Sequence, residues 1–337
     1  MNDLQMKSLF NWALRLTVKF ALFIFYRKIH LEGKEFLPRR KAVIIVANHQ
    51  NALIDPLIVA TQTNLKPHFL TRASAFKNPI ANRLLRFIRM IPVYRVRDGK
   101  HNMDKNNETF DQSISILSQL GSILIFAEGG HSHERNIRSL KKGFTRIAFQ
   151  TLERFPELDL IILPVGINYS NHSHSGADVG IWIGKEIPVK PYLHNHDQLM
   201  RVTQEALKPL VTQIPEENYH NYLQALIDRS ISLSNPSQVK IALEKDHLKP
   251  VSPRHEGVLW SKKLFRLIHW PLWLLWKRIQ PTIEDHVFYA TFKFVIGLVG
   301  YPLMLTLILL LLPQTVGYPY VLLSILTVFS NRSRQGL

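Results

Sequence analysis

A histidine set six positions ahead of an aspartate, just after an apolar run, is a pairing that can move a proton. The run is AVIIVA, Ala42 to Ala47; Asn48 and His49 follow it, and after five intervening residues comes Asp55. When an alcohol attacks an acyl group, a base must take the hydroxyl proton as the oxygen moves in. Histidine titrates near neutrality, and a carboxylate beside it fixes its tautomer and stabilises the imidazolium. His49 as base and Asp55 as its partner are therefore the first candidates. Asp55 has a second explanation: Asp-Pro ahead of LIVATQT also suits a helix N-cap with proline at the first helical position.

Three further segments carry chemistry-bearing residues. GSILIFAEGGHSHERNIRSLKKG, Gly121 to Gly143, reads as a strand ending near Glu128, then two glycines, then a basic stretch. Gly129 and Gly130 let backbone come close to a ligand. Arg135, Arg138, Lys141 and Lys142 could hold a phosphate or a pantetheine phosphate, since cationic forks match oxyanions. A strand-to-helix turn with a solvated basic face has the same composition. In MIPVYRVRDG, Arg95 and Arg97 lie two apart on an expected strand and so share a face. LIILPVGINYS, Leu160 to Ser170, reads as a buried strand ending in Pro-Val-Gly.

Taken in order, these blocks resemble the glycerophosphate acyltransferase superfamily, which includes 1-acylglycerol-3-phosphate acyltransferases. That family carries Asn-His-x4-Asp, an arginine after a Pro-containing strand, Phe-Pro-Glu-Gly-Thr-Arg-Ser, and a Val/Leu-Pro-Val block. Their counterparts are Asn48-His49 with Asp55, IPVYR with Arg95, FAEGGHS from Phe126 to Ser132, and LPVGINY from Leu163. HLEGKEFLP before the first block and LKKGFTRIA after the third fit as well, so the resemblance covers roughly residues 27 to 192. It implies a mixed sheet flanked by helices, with His49 as general base and Asp55 orienting it. It implies that Arg95 and the Glu128-Gly129 block bind a phosphate-bearing acceptor. The acyl thioester would come from acyl-CoA or acyl-carrier protein as co-substrate, with no metal and no other cofactor. Two departures stand out. Five residues, not four, separate His49 from Asp55, and Ala127, Gly130 and His131 stand where the family shows Pro, Thr and Arg. Arg135 or Arg138 then replaces the lost arginine, or the acceptor differs.

The elements that must position these groups alternate as in an α/β domain. Expected strands are Ala42 to Ala47, Pro67 to Leu70, Ser122 to Phe126, Leu158 to Pro164 and Val179 to Ile183, and Asp197 to Gln213 reads as an amphipathic helix. Near the N-terminus, Leu9, Trp12, Ala13, Leu16, Phe20 and Phe23 recur at helical spacing, with Arg15 and Lys19 on the other side. Such a helix lies in a membrane interface or packs on the protein's own core. Phe294 to Leu312 is 19 residues without a charge, long enough to cross a bilayer. A second run, Tyr320 to Ser330, follows an uncharged loop, and both flanks of the pair are basic, which predicts a hairpin with its ends in the cytoplasm. Trp260 to Trp276 combines tryptophan and basic residues in the manner of the headgroup level. The expected organisation is an N-terminal membrane-associated helix over 1–30, an acyltransferase domain over 31–213, a helical extension and linker over 214–263, and a membrane-associated segment over 264–337.

Composition narrows the alternatives. The 337 residues hold 42 Lys and Arg against 25 Asp and Glu, a net charge of +17, which implies an anionic partner. An anionic bilayer explains it better than nucleic acid, because the basic residues are spread along apolar helices and no nucleic-acid motif is present. There is no cysteine, which excludes disulfides, thiolate catalysis and cysteine-bound zinc. His131 with His133, and His172 with His174, are His-x-His pairs of the kind seen in metal hydrolases, but Glu134 and Arg135 break that pattern. A non-catalytic scaffold on an old fold is the third alternative. The reading carried forward is a membrane-bound O-acyltransferase of phospholipid biosynthesis, active site toward the cytoplasm, acting on glycerol 3-phosphate or its monoacyl form. Another lipid acceptor such as a lysophospholipid is its nearest variant.

Overall fold

The computed structural model describes residues 3–94, 106–244 and 260–334. Its centre is an eight-stranded sheet: β1 (Lys28–Glu32), β2 (Ala42–Ala47), β3 (His68–Arg72), β4 (Met90–Val93), β5 (Ser122–Ile125), β6 (Leu160–Tyr169), β7 (Asp178–Ile183) and the short β8 (Ile187–Pro188). The order is β1-β7-β6-β2-β5-β3-β4, with β8 alongside β6. Pairings are parallel except those of β6 with β7 and with β8. The sheet is thus mixed, as expected.

β2 is buried at every position because both sheet faces are covered. Successive side chains alternate between faces. Val43, Ile45 and Ala47 join a core with Val18 and Leu22 of α1 (Asp3–Phe25), Ile54, Ile58 and Val59 of α2 (Ile54–Gln62), and Phe294 of α11 (Tyr289–Val295). Ala42, Ile44 and Val46 join the opposite core with Leu117 of α4 (Asn106–Ser118), Phe144 and Ile147 of α5 (Gly143–Arg154), and Leu199 and Leu207 of α6 (His196–Leu207). Each fully buried Ile or Leu contributes about 1.5–3 kcal/mol. That is more than strand propensity can supply, so burial sets the register of the central strands.

β6 runs five residues past its expected end at Pro164, to Tyr169. Pro164 sits where β6 changes partner from β8 to β7, so its missing N–H interrupts neither ladder. Within the expected helical extension, α7 (Tyr219–Asp228) and α8 (Pro236–Glu244) close a small core of Ile214, Leu226, Leu233 and Val239.

The remaining helices are α3 (Pro79–Phe87), α9 (Trp260–Ile268), α10 (Trp270–Ile279), α12 (Tyr301–Leu311) and α13 (Gln314–Arg334). α11 continues into α12 through a π turn at Ile296–Gly300. The second arm of the C-terminal hairpin is longer than its apolar run, since α13 extends over 21 residues. Among the described residues, two helical stretches are long and apolar enough to cross a membrane, Ser8–Phe25 and His286–Leu311. α1 packs on the core along one side and leaves the apolar stripe picked out in its sequence uncovered. Val18 and Leu22 are buried, while Leu9, Trp12, Leu16, Phe20 and Phe23 remain exposed.

Candidate active site

Asn48 and His49 leave the sheet at the C-terminal end of β2, where ligands of open α/β sheets bind. Asn48 clasps the neighbouring strand. Its amide donates to the Ile167 carbonyl (2.9 Å) and accepts from the Ile167 N–H (2.7 Å). The chain then turns through Ala52, whose φ of 25° lies in a region that non-glycine residues seldom occupy. That turn absorbs the long spacing and delivers Asp55 into the first turn of α2.

Asp55 is fully buried, and its carboxylate is saturated. Oδ2 lies 2.8 Å from His49 Nδ1 and accepts the N–H groups of Gln50 (2.8 Å) and Asn51 (2.7 Å). Oδ1 accepts the Tyr169 hydroxyl (2.5 Å). A buried carboxylate is tolerable only with such satisfaction. The N-cap explanation of Asp55 is corrected here. The cap position is Leu53, and the aspartate bonds to residues ahead of the helix. Tyr169 stays a donor because burial, reinforced by Asp55, pushes its hydroxyl well above the ordinary tyrosine range.

With Nδ1 facing a carboxylate, the His49 proton sits on Nδ1 and the Nε2 lone pair is free to act as a base. The ring stacks on Phe126 at 3.9 Å and 10°. His131 stands edge-on to it at 5.7 Å. The third block is tied to the first by Ser132 N–H donating to the His49 carbonyl (3.0 Å).

The expected ligand residues divide. Arg135 is 4% exposed, and its guanidinium donates to the carbonyls of Tyr169 (2.6 Å) and Ser170 (3.4 Å). Burial lowers its pKa to about 10. It braces the end of β6 and does not face a ligand, a correction to its expected role. Arg138 Nε donates to Glu128 Oε2 (2.7 Å), and Nη2 reaches the Gly130 carbonyl. Glu128 is buried, and its carboxyl is pushed up by desolvation against the opposing pull of Arg138. Gly129 takes φ 76°, and a Cβ there would come 3.3 Å from Lys141 Cγ. The Gly129-Gly130 turn is therefore flanked by Arg138 and the exposed Lys141. Arg95 lies outside the described residues, two positions past the end of β4.

The sequence does not single out Tyr169, and it offers His133 and His172 only as members of His-x-His pairs. Tyr169 closes the LPVGINY block, and its hydrogen bond to Asp55 spans 114 positions. His172 Nε2 bonds Gln50 Oε1 (3.2 Å), Asn51 donates to the His172 carbonyl (2.9 Å), and His133 stacks on His172 (4.7 Å, 11°). This layer supports the loop between His49 and Asp55. Among the described residues no three His, Cys, Asp or Glu side chains converge on a metal position. The C-terminal segment also reaches the site: Asp285 Oδ2 lies 3.6 Å from His131 Nδ1, and Phe288 stands edge-on to His131 at 5.3 Å.

Residues 28–168 match the family model described as Acyltransferase, and that span contains His49, Asp55 and Glu128. This stretch is similar to acyltransferase domains. Two curated 1-acyl-sn-glycerol-3-phosphate acyltransferases are similar to this chain. The chloroplastic protein of Arabidopsis thaliana is 25% identical over 142 residues, 42% of this chain and 38% of that protein. The protein of Borreliella burgdorferi is 28% identical over 159 residues, 47% of this chain and 58% of that one. The chain thus spans well under two thirds of the length of either relative. A solved structure of the 1-acyl-sn-glycerophosphate acyltransferase of Thermotoga maritima is 21% identical with a TM-score of 0.48, covering 62% of this chain and 81% of that one. Asp285 and Phe288 lie outside the matched stretch, so part of the wall around His131 comes from beyond it.

Proposed function

We propose that this protein transfers a fatty acyl group from an acyl thioester to a hydroxyl of glycerol 3-phosphate or 1-acylglycerol 3-phosphate at a membrane. The observation that carries this is His49 Nδ1 at 2.8 Å from a buried, fully bonded Asp55 within the stretch similar to acyltransferase domains. His49 Nε2 takes the acceptor's hydroxyl proton as its oxygen attacks the thioester carbonyl. Asp55 stabilises the imidazolium that forms. The tetrahedral intermediate collapses, the C–S bond breaks, and the departing thiolate takes the proton back from His49. A C–O bond has then replaced the C–S bond, and the base is restored without a covalent acyl-enzyme. The thioester is that of acyl-CoA or acyl-carrier protein. The Gly129-Gly130 turn, with Lys141 and Arg138 beside it, would take the acceptor's phosphate, and Arg95 stays a further candidate ligand on its sequence block alone.

The long apolar helices hold the protein at the bilayer, with the active site on the cytoplasmic face as the basic flanks of the hairpin favour. A second reading of the acceptor is supported by Asp285 beside His131. A carboxylate there disfavours a dianionic phosphate and suits a lysophospholipid headgroup. The experiment is transfer of a labelled acyl chain by the detergent-purified full chain, from acyl-CoA and from acyl-carrier protein, to a panel of acceptors. Transfer to a glycerophosphate supports the first reading and transfer only to lysophospholipids the second. No transfer to any glycerol-based hydroxyl would sink both.

A further inference from the structure

The surface around α3 is built unlike the rest of the acyltransferase domain. Ile80 is 80% exposed, more than any other large apolar side chain among the described residues, and Leu84, one turn on, is 54% exposed. Values this high otherwise occur at the end of the candidate span, at Leu310 (75%) and Leu311 (76%). Ile80 and Leu84 share a helical face with the exposed Arg83, while Lys77 and Arg86 are exposed nearby. From Pro56 to Arg97 the chain carries eight Lys and Arg and no Asp or Glu. Apolar side chains set among cations, with no carboxylate nearby in sequence, suit the headgroup layer of an anionic bilayer. The patch is also continuous with the membrane-facing helix, because the ring of Phe87 at the end of α3 meets Phe10 of α1 edge-on at 5.0 Å.

We propose that α3 is an in-plane interfacial helix, with Ile80 and Leu84 seated among the acyl chains of an anionic bilayer and Lys77, Arg83 and Arg86 at its phosphates. This rests on the membrane reading of α1 and the C-terminal hairpin, and extends it. α1 and the hairpin anchor the chain, whereas α3 lays the acyltransferase domain itself on the lipid. α3 leads directly into β4, so lipid contact is made within the domain that carries His49.

The chain has no cysteine, so one engineered thiol labels one site. Ile80→Cys, Phe20→Cys on α1 and Ile241→Cys on α8 would each carry a nitroxide in the full-length protein, reconstituted in nanodiscs. Exposure to oxygen and to a water-soluble nickel chelate is then compared. With phosphatidylglycerol present, the label at 80 should favour oxygen and lose nickel access, as at 20, while the label at 241 stays open to nickel. Replacing the phosphatidylglycerol with phosphatidylcholine should return nickel access at 80 but not at 20. If 80 behaves like 241 while 20 stays buried, the α3 proposal fails and the membrane reading stands. If 20 is also open to nickel, the membrane reading fails. Dipolar broadening between labels at 80 on two copies would show a second chain on this face and overturn the proposal.

Discussion

Asp55 reaches His49 across five intervening residues, with Oδ2 2.8 Å from Nδ1. The same oxygen accepts the N–H groups of Gln50 and Asn51, so the loop that separates the two residues also closes around the carboxylate. The long spacing costs an unusual turn at Ala52 and leaves the dyad intact.

Asp55→Asn keeps the shape of this arrangement and removes its charge. An amide oxygen can still accept the two backbone N–H groups, and its NH2 can face the Tyr169 hydroxyl. The imidazolium then loses its counter-charge. Turnover should fall by about 10²–10⁴-fold with little change in thermal midpoint. Equal losses of activity and fold would instead make Asp55 a structural residue.

Asn48→Ala removes two buried hydrogen bonds that tie β2 to Ile167 and leaves the Ile167 groups unpaired. The expected cost is about 1–3 kcal/mol, measured by denaturant or thermal unfolding in detergent. Turnover should fall as well, since His49 is the next residue. An unchanged midpoint would show that the clasp is dispensable.

His172 and His133 are kept neutral by burial, which pushes both below the ordinary imidazole value, His172 well below it. Below about pH 6.5 the unfolded chain therefore binds more protons at these sites than the folded one. Their contribution is fully present above that pH and is lost as pH falls toward the depressed folded values. The melting temperature should drop between pH 7.5 and pH 5.5, and His172→Gln should flatten that slope. A slope unaffected by the substitution would place the acid sensitivity elsewhere.

Asp285→Asn separates the two acceptor readings. Removing a negative charge beside His131 should lower KM for a phosphomonoester acceptor by roughly 3–10-fold, the scale of one partly screened charge. A lysophospholipid acceptor should be little affected. No change with either acceptor would mean that the C-terminal segment only packs against His131.

How much of this was legible in the sequence depended on range. β2 and β5 could be placed because strands buried on both faces read as unbroken apolar runs. β1 could not, since it is an edge strand of alternating exposure, KIHLE. β6 was cut short at Pro164, which looks like a stop until its change of partner is known. His49 and Asp55 were visible as a local pair. Tyr169 bonds Asp55 from 114 positions away, and Asp285 meets His131 from the far side of the chain. No spacing rule connects such residues. Arg135 misled because a basic loop reads alike whether its guanidinium faces a ligand or, as here, the backbone of β6.

The central claim is that His49 is the base, and His49→Ala tests it most directly. The full-length variant and its parent would be purified in detergent, compared for thermal midpoint, and assayed for transfer of a labelled acyl chain to the acceptor the parent uses. The account predicts a folded protein whose turnover falls by about 10²–10⁴-fold or below detection. Turnover within a fewfold of the parent would contradict it.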